Sequence, residues 1–418
     1  MIALTQRALV SSILLTAVAC AALYGADPVV AADFTFTPTV SVSEEFNDNI
    51  LDSATDKKSD FVTRLQPGAA AAYRGPSLNG DLSYNFDYQN YARRTKDDEE
   101  NHYLASRGSA ELLKNFFFLD VSDTLSRVSL DVARDVTAES PYANQTDRNR
   151  ANVSPYLLWR LGETSTLKTG YRFIDTSFWG SPGIDRREHV GFAELSHNPA
   201  ARLSLSGGYT FASISTDVVD YDQHDLSAGF RYEYADKSFL YGGIGNSWQE
   251  FTDSRSASNL FWHAGVNRDF GFLMATLETR VQYTDDPLAV STEETTYRVS
   301  MEKALHKGAI GLSSSYTEYQ DTLTDGSERR KGEVRGFWRA ELSQGLITSL
   351  VLIGDRVSQK TLMDYPYHFS GSAGLSYLFN YDITGSLNYS YIDYRRELDS
   401  AADSRQTNRV ILALKKIF

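Results

Sequence analysis

Residues 82–88 read Leu-Ser-Tyr-Asn-Phe-Asp-Tyr, which puts Leu82, Tyr84, Phe86 and Tyr88 on one side of an extended chain and Asp81, Ser83, Asn85, Asp87 and Gln89 on the other. A period of two specifies a β-strand with one apolar and one polar face. The same alternation returns in Leu167, Thr169, Tyr171 and Phe173 against Lys168, Gly170 and Arg172, and in Leu203, Leu205, Gly207, Tyr209 and Phe211 against Ser204, Ser206, Gly208 and Thr210. It recurs in Leu226, Ala228, Phe230, Tyr232 and Tyr234, and again from Tyr365 to Tyr377. Helical periodicity competes nowhere along the chain.

Turn signals between these segments alternate in length. Short links fall at Gly75 to Asn79, Lys114-Asn115, Gly162-Glu163, Asn198 to Ala201, Ala235 to Lys237, Gly271, His306 to Gly308, Ser343 to Gly345 and Asn380 to Asp382. Longer polar loops fall between them, at Asn47 to Ser59, Arg93 to Asn101, Ser129 to Asp147, Asp285 to Glu294, Asp321 to Arg330 and Arg395 to Ser404. Short turns at one end and long loops at the other describe an up-and-down meander. A membrane-crossing sheet must close, because an open edge has no partner in lipid. The expected fold is therefore all-β, a single transmembrane antiparallel barrel of about 20 strands (18–22) with short periplasmic turns and longer extracellular loops. Apolar side chains face lipid and the polar face lines the lumen.

Composition supports this over a soluble sandwich. Twelve per cent of residues are aromatic, with 25 Tyr and 22 Phe but only 10 Pro, where a sandwich of short strands needs frequent breakers. A net charge of -13 argues against a nucleic-acid partner. The single cysteine excludes a disulfide framework, a four-cysteine zinc site and covalent haem attachment. Arg7 precedes an uncharged stretch from Ala8 to Ala26, and Val30-Ala31-Ala32 offers small residues before Asp33. This is the layout of a cleaved export signal over residues 1–32, leaving 33–418 as the barrel. The competing acylation site, Ala17-Val18-Ala19-Cys20, has Ala17 where leucine is usual. Val410, Leu412 and Leu414 lead to Phe418, an apolar strand with a terminal aromatic that suits recognition by barrel assembly machinery.

The stretch Val40-Ser41-Val42-Ser43-Glu44-Glu45-Phe46-Asn47-Asp48-Asn49-Ile50, followed by Ser59-Asp60-Phe61 and Leu65-Gln66-Pro67-Gly68, resembles the β-barrel porins of Gram-negative bacteria. Glu111-Leu112-Leu113, Phe117-Phe118-Leu119-Asp120 and Val153-Ser154-Pro155-Tyr156 are similar to the subset associated with exosortase (PEP-CTERM) and exopolysaccharide systems. The resemblance implies an integral outer-membrane location and a role in surface-polymer export. It defines no catalytic motif.

The residues carry no sign of an enzyme. The seven histidines, at 102, 189, 197, 224, 263, 306 and 368, are linked by no motif to a serine or carboxylate. No cofactor or metal is expected: Asp97-Asp98-Glu99-Glu100 reads better as a solvated loop than as a cation site, and Gly242, Gly243 and Gly245 as room for packing within a strand. The functional candidates are charges turned to the lumen: Lys168, Arg172, Glu278, Arg280, Arg298, Glu302, Glu333, Arg335, Arg339 and Glu341. They either pair across strands and brace the wall or select solutes, and their mixed signs form no single-sign ring. Tyr232, Tyr234, Tyr377, Phe379, Tyr381, Tyr391 and Tyr394 fit the interfacial aromatic belts. No loop looks long enough to fold into the pore, which favours a monomer.

Three functions remain open from sequence. The first is a pore or conduit, extended by the resemblance to polysaccharide export. The second is a sheath around a multihaem cytochrome that brings every haem itself. The third is a purely structural wall protein. Expected partners are outer-membrane lipid and lipopolysaccharide, the barrel assembly machinery, and a polymer-export or cytochrome component.

Overall fold

The computed structural model describes residues 32–131, 133, 145–179, 183–284, 286–322, 329–359, 365–398 and 404–418. The export signal expected over residues 1–32 lies, but for Ala32, outside them. Twenty strands follow one another: β1 (Asp33–Asn47), β2 (Asp60–Arg74), β3 (Leu78–Tyr91), β4 (Glu99–Leu113), β5 (Phe117–Ser129), β6 (Gln145–Arg160) and β7 (Ser165–Trp179). Then come β8 (Arg186–Ala200), β9 (Leu203–Thr216), β10 (Tyr221–Ala235), β11 (Ser238–Phe251), β12 (Ser256–Asp269), β13 (Met274–Thr284) and β14 (Thr292–Leu305). The last are β15 (Gly308–Asp321), β16 (Arg329–Ser343), β17 (Leu346–Gln359), β18 (Tyr367–Leu378), β19 (Ile383–Arg395) and β20 (Ser404–Ile417).

Each strand pairs antiparallel with its neighbours in sequence, and β1 pairs with β20 to close the ring. The result is the closed all-β barrel that the alternation demands. Long and short connections alternate around it. Gly271 and Gly345 take φ of 82° and 77° in two of the tight turns, a region where a Cβ would be strained.

The wall is inverted relative to a soluble protein. Leu226, Ile244, Leu260, Leu277, Leu312, Val334, Leu352, Leu387 and Leu412 all point outward and are exposed, an arrangement stable in acyl chains and unfavourable in water. Their sequence neighbours face the lumen. A strand of about 15 residues, rising ~3.3 Å each and tilted ~40°, reaches roughly 38 Å along the barrel, longer than the ~25 Å apolar band. The surplus wall explains outward ion pairs near the long-loop end, such as Asp175 with Arg187 at 3.2 Å and Glu318 with Arg330 at 3.4 Å.

The seam is shorter than the ladders beside it. Thr39–Asn47 of β1 pairs with Arg409–Ile417 of β20, whereas all of β1 from Asp33 to Asn47 pairs with β2. Charge-assisted bonds close the seam's long-loop end: Arg409 Nε lies 2.7 Å from Glu45 Oε1 and Asn408 Nδ2 lies 2.7 Å from Asp48 Oδ2. Phe418 sits beyond the last ladder pair, 68% exposed, with its N–H donating to the Pro38 carbonyl at 3.0 Å.

Candidate functional site

The lumen face follows from strand parity. On β7, outward Tyr171 fixes Lys168 and Arg172 as inward; on β12 and β13, outward Leu260, Val266 and Leu277 leave His263, Glu278 and Arg280 inside. Outward Val299, Ile310 and Val334 in turn place Arg298, Glu302, Glu333, Arg335, Arg339 and Glu341 on the lumen side. All ten charged candidates therefore share one face of the wall. They do not share one environment.

On β13 and β14 the charges are paired. Arg298 lies 3.7 Å from Glu278 directly across the ladder, and Arg280 lies 3.3 Å from Glu294. Tyr241 on β11 donates its hydroxyl to Glu278 at 3.4 Å. On β16, Lys331 pairs with Glu333 at 3.0 Å, and Glu341 accepts the Gly345 N–H at the turn. Arg335 and Arg339 face Ser313 and Ala309 of β15, and Glu302 faces Gly311. Charge pairs thus brace β13, β14 and the start of β16, while Arg335 and Arg339 face small side chains.

On β5 to β7 the arrangement is different. Arg150, Lys168 and Arg172 line a recess of about 290 Å³ with Asp120 as its lining carboxylate, Glu194 across the ladder from Lys168 and Glu188 near Arg150; Ser122, Thr124, Asn152 and Ser154 add hydroxyl and amide groups. Lys168 Nζ lies 4.1 Å from the centre of the Tyr156 ring, and the Arg172 guanidinium lies 5.1 Å from that of Phe192. Tyr156 is itself stacked on Phe118, centroids 5.3 Å apart. Mixed signs along the chain obscured this positive patch, because Arg150 is brought to Lys168 and Arg172 only by the β6–β7 register.

Connections fold inward at the long-loop end, contrary to the expectation that none reaches the pore. In L7, the connection between β13 and β14, residues 286–291 turn back along the concave wall of β8 to β11. The Pro287 carbonyl accepts the Ile184 N–H at 2.9 Å, the Val290 carbonyl accepts Arg186 Nη2 at 2.5 Å, and Gln249 donates to Ser291 Oγ at 3.2 Å. Val290 is buried among Val190, Ala212, Ile214, Tyr221 and Phe251. L3, residues 130–144 between β5 and β6, is described only at its start. There Ala133 is buried against Tyr319 and Val357 of β15 and β17, on the far side of the ring.

The two connections meet at Arg329 of β16. Its Nη1 lies 3.0 Å from Asp131 of L3, and its Nη2 bonds the fully buried Asp286 of L7. Polarity cannot foretell this clasp, since its partners lie far apart in sequence. The barrel mouth is narrowed by chain, not left as an open ring.

The remaining candidates settle as follows. The acidic run is engaged: Asp98 accepts from Tyr88 and Asn90, and Glu99 pairs with Lys96 at 2.6 Å and Arg127 at 3.4 Å. The Tyr88 hydroxyl, then Asn90, hold the Asp98 carboxyl below its ordinary range. Among the described residues no group of three or more His, Cys, Asp or Glu is placed to hold a metal. A Cβ at Gly243 or Gly245 would strike the His263 or Phe261 ring, both 2.3 Å away, so these glycines make room for rings lying across them.

Tyr394, expected in the exterior belt, faces inward and stacks on the buried His368 at 4.7 Å. Tyr391 and Tyr394 are an odd number of residues apart, so one strand cannot turn both outward.

The histidines hold an ordering that a search for catalytic motifs overlooks. Tyr84, Tyr171 and Tyr209 hydrogen-bond Nδ1 of His102, His189 and His224 on the adjoining strand at 2.7, 2.6 and 2.8 Å. Phe86, Phe173 and Phe211, two residues on, lie against the same imidazoles. The signal was a Tyr-x-Phe followed by His across one hairpin. All three clusters lie on the exposed outer face, each with its Tyr six residues from the start of its strand.

This architecture is a closed antiparallel barrel of the outer-membrane type. No family model matches the chain, and no curated protein sequence does. Solved structures match its fold. The FrpB iron transporter of Neisseria meningitidis (F5-1 variant, apoprotein form) aligns with a TM-score of 0.56 at 10% identity, over 91% of this chain and 81% of that one. The siderophore receptor PirA of Pseudomonas aeruginosa aligns with a TM-score of 0.51 at 10% identity, over 92% and 80%. The ferric-catecholate import receptor Fiu of E. coli K12 aligns with a TM-score of 0.52 at 10% identity, over 92% and 82%.

Proposed function

We propose that the chain is a passive outer-membrane channel of a Gram-negative bacterium, admitting small polar solutes through a mouth narrowed by Asp131 and Ala133 at the start of L3 and by residues 286–291 of L7. One observation carries the reading: the wall is closed, apolar outside and charged inside, with L7 clasped to the lumen face by Arg329. Roughly 16 to 18 strands already enclose an aqueous channel, so 20 leave room for one beside the folded loop. The reading has no catalytic step. It includes export by an N-terminal signal, insertion by the barrel assembly machinery and contact with lipopolysaccharide.

Polysaccharide export is the second reading, favoured by aromatic faces inside the lumen: the Phe118–Tyr156 stack and the Tyr241–His263 stack at 6.1 Å. A sheath around a cytochrome fits less well, because L7 occupies space such a partner needs. Purified barrel in liposomes tests the first two. Osmotic swelling with monosaccharides that stops at short oligosaccharides is the expected result. Swelling that continues to long oligosaccharides favours the polymer conduit, and no swelling or conductance overturns both.

A further inference from the structure

The recess on β5 to β7 has a chemistry of its own. Arg150, Lys168 and Arg172, with Arg107 opposite Ser122, outnumber Asp120, Glu188 near Arg150 and Glu194 across the ladder from Lys168, which leaves this sector positive, and guanidinium groups match carboxylate and phosphate oxygens in two-point contact. Hydroxyl and amide groups beside them both donate and accept, as a polyhydroxylated solute requires. Lys168 and Arg172 rest on the Tyr156 and Phe192 rings, which position the charges without neutralising them and reduce the freedom lost on binding. The volume of about 290 Å³ stands at the low end of small-ligand pockets, roughly 300–1,000 Å³, and suits one sugar-sized solute.

We propose that this recess binds hydroxyl-bearing organic anions, sugar acids or sugar phosphates, as they cross the lumen. The proposal rests on the channel reading and names its preferred solute class. Lys168 and Arg172 are the principal anion contacts; Asn152 and Ser154 meet the hydroxyls.

The test uses the purified barrel in planar bilayers bathed in potassium chloride, titrated with glucose 6-phosphate, gluconate and glucose. The two anions should reduce the current saturably at millimolar concentration, and glucose should not. K168Q/R172Q should raise the half-blocking concentration about tenfold or more. K237Q/K307Q, in the short turns between β10 and β11 and between β14 and β15, on strands away from the recess, should leave it unchanged. Equal block by glucose, or undiminished block in K168Q/R172Q, overturns the proposal.

Heat-modifiable migration on gels checks that the variant folds. Should it not, Asn152→Leu, which fills the recess without touching a charge, takes its place with the same expected loss. If no current flows in any sample, the channel reading fails separately. Calorimetry of the detergent-solubilised barrel with glucose 6-phosphate then decides the recess: binding that is lost in the variant sustains it, and no binding to the parent overturns it.

Discussion

The lumen walls of β5–β7 and β13–β16 both carry cations, yet they hold them differently. On β13, β14 and β16, Arg298, Arg280 and Lys331 each face a carboxylate within 4 Å, while Lys168 and Arg172 on β7 lie on aromatic rings. A paired cation has its field spent on its neighbour and stiffens the ladder. A cation on a ring, with Asp120 and Glu194 near it but not in an ion pair, keeps part of its field for whatever passes. Both patterns satisfy the alternation of the strand, so alternation alone cannot distinguish a brace from a binding surface.

Arg329 is where bracing matters most. Asp286 is fully buried and Arg329 only 12% exposed, so Arg329→Met leaves a carboxylate without its cation, a loss of about 3–5 kcal/mol to that contact. We expect L7 to be released, residues 286–291 to become open to protease, and single-channel conductance to rise. A variant with parental conductance and protease resistance would show that the clasp does not set the mouth.

The Glu278–Arg298 pair should give a much smaller effect. Both side chains are partly open to the lumen, at 31% and 48%, so a double-mutant cycle of E278Q and R298Q in thermal unfolding should yield a coupling of about 1 kcal/mol or less. A coupling several times larger would make this wall a buried network. Smallest of all, Tyr171→Phe removes a hydrogen bond on the outside of the strand that carries Lys168 and Arg172 inside. It should lower stability by about 0.5–1 kcal/mol and leave anion block unaltered, separating the two faces of β7.

Much of this was legible in the residues, down to which side chains of β7 look inward. Parity does that work, because a strand's period of two is a local property. What escaped was set by contacts between distant segments. The Arg186–Val290 bond joins positions 104 apart, and nothing in Asp286-Pro-Leu-Ala-Val-Ser291 has a period that marks it for the interior. Arg150 was missed because the long connection before β6 hides that strand's register. The Tyr–His clusters lay between these cases, since hairpin spacing brings Tyr171 to His189 without any long-range contact.

The seam between β1 and β20 has a consequence for biogenesis. Glu45 and Arg409 are separated by 364 positions, yet every other ladder joins neighbours in the chain. Each hairpin can therefore pair with the one before it, but the cylinder closes only when β20 reaches β1, and until then β1 offers an unpaired edge. Losing β20 would leave that half-built sheet adhesive, trading a leaky wall for aggregation.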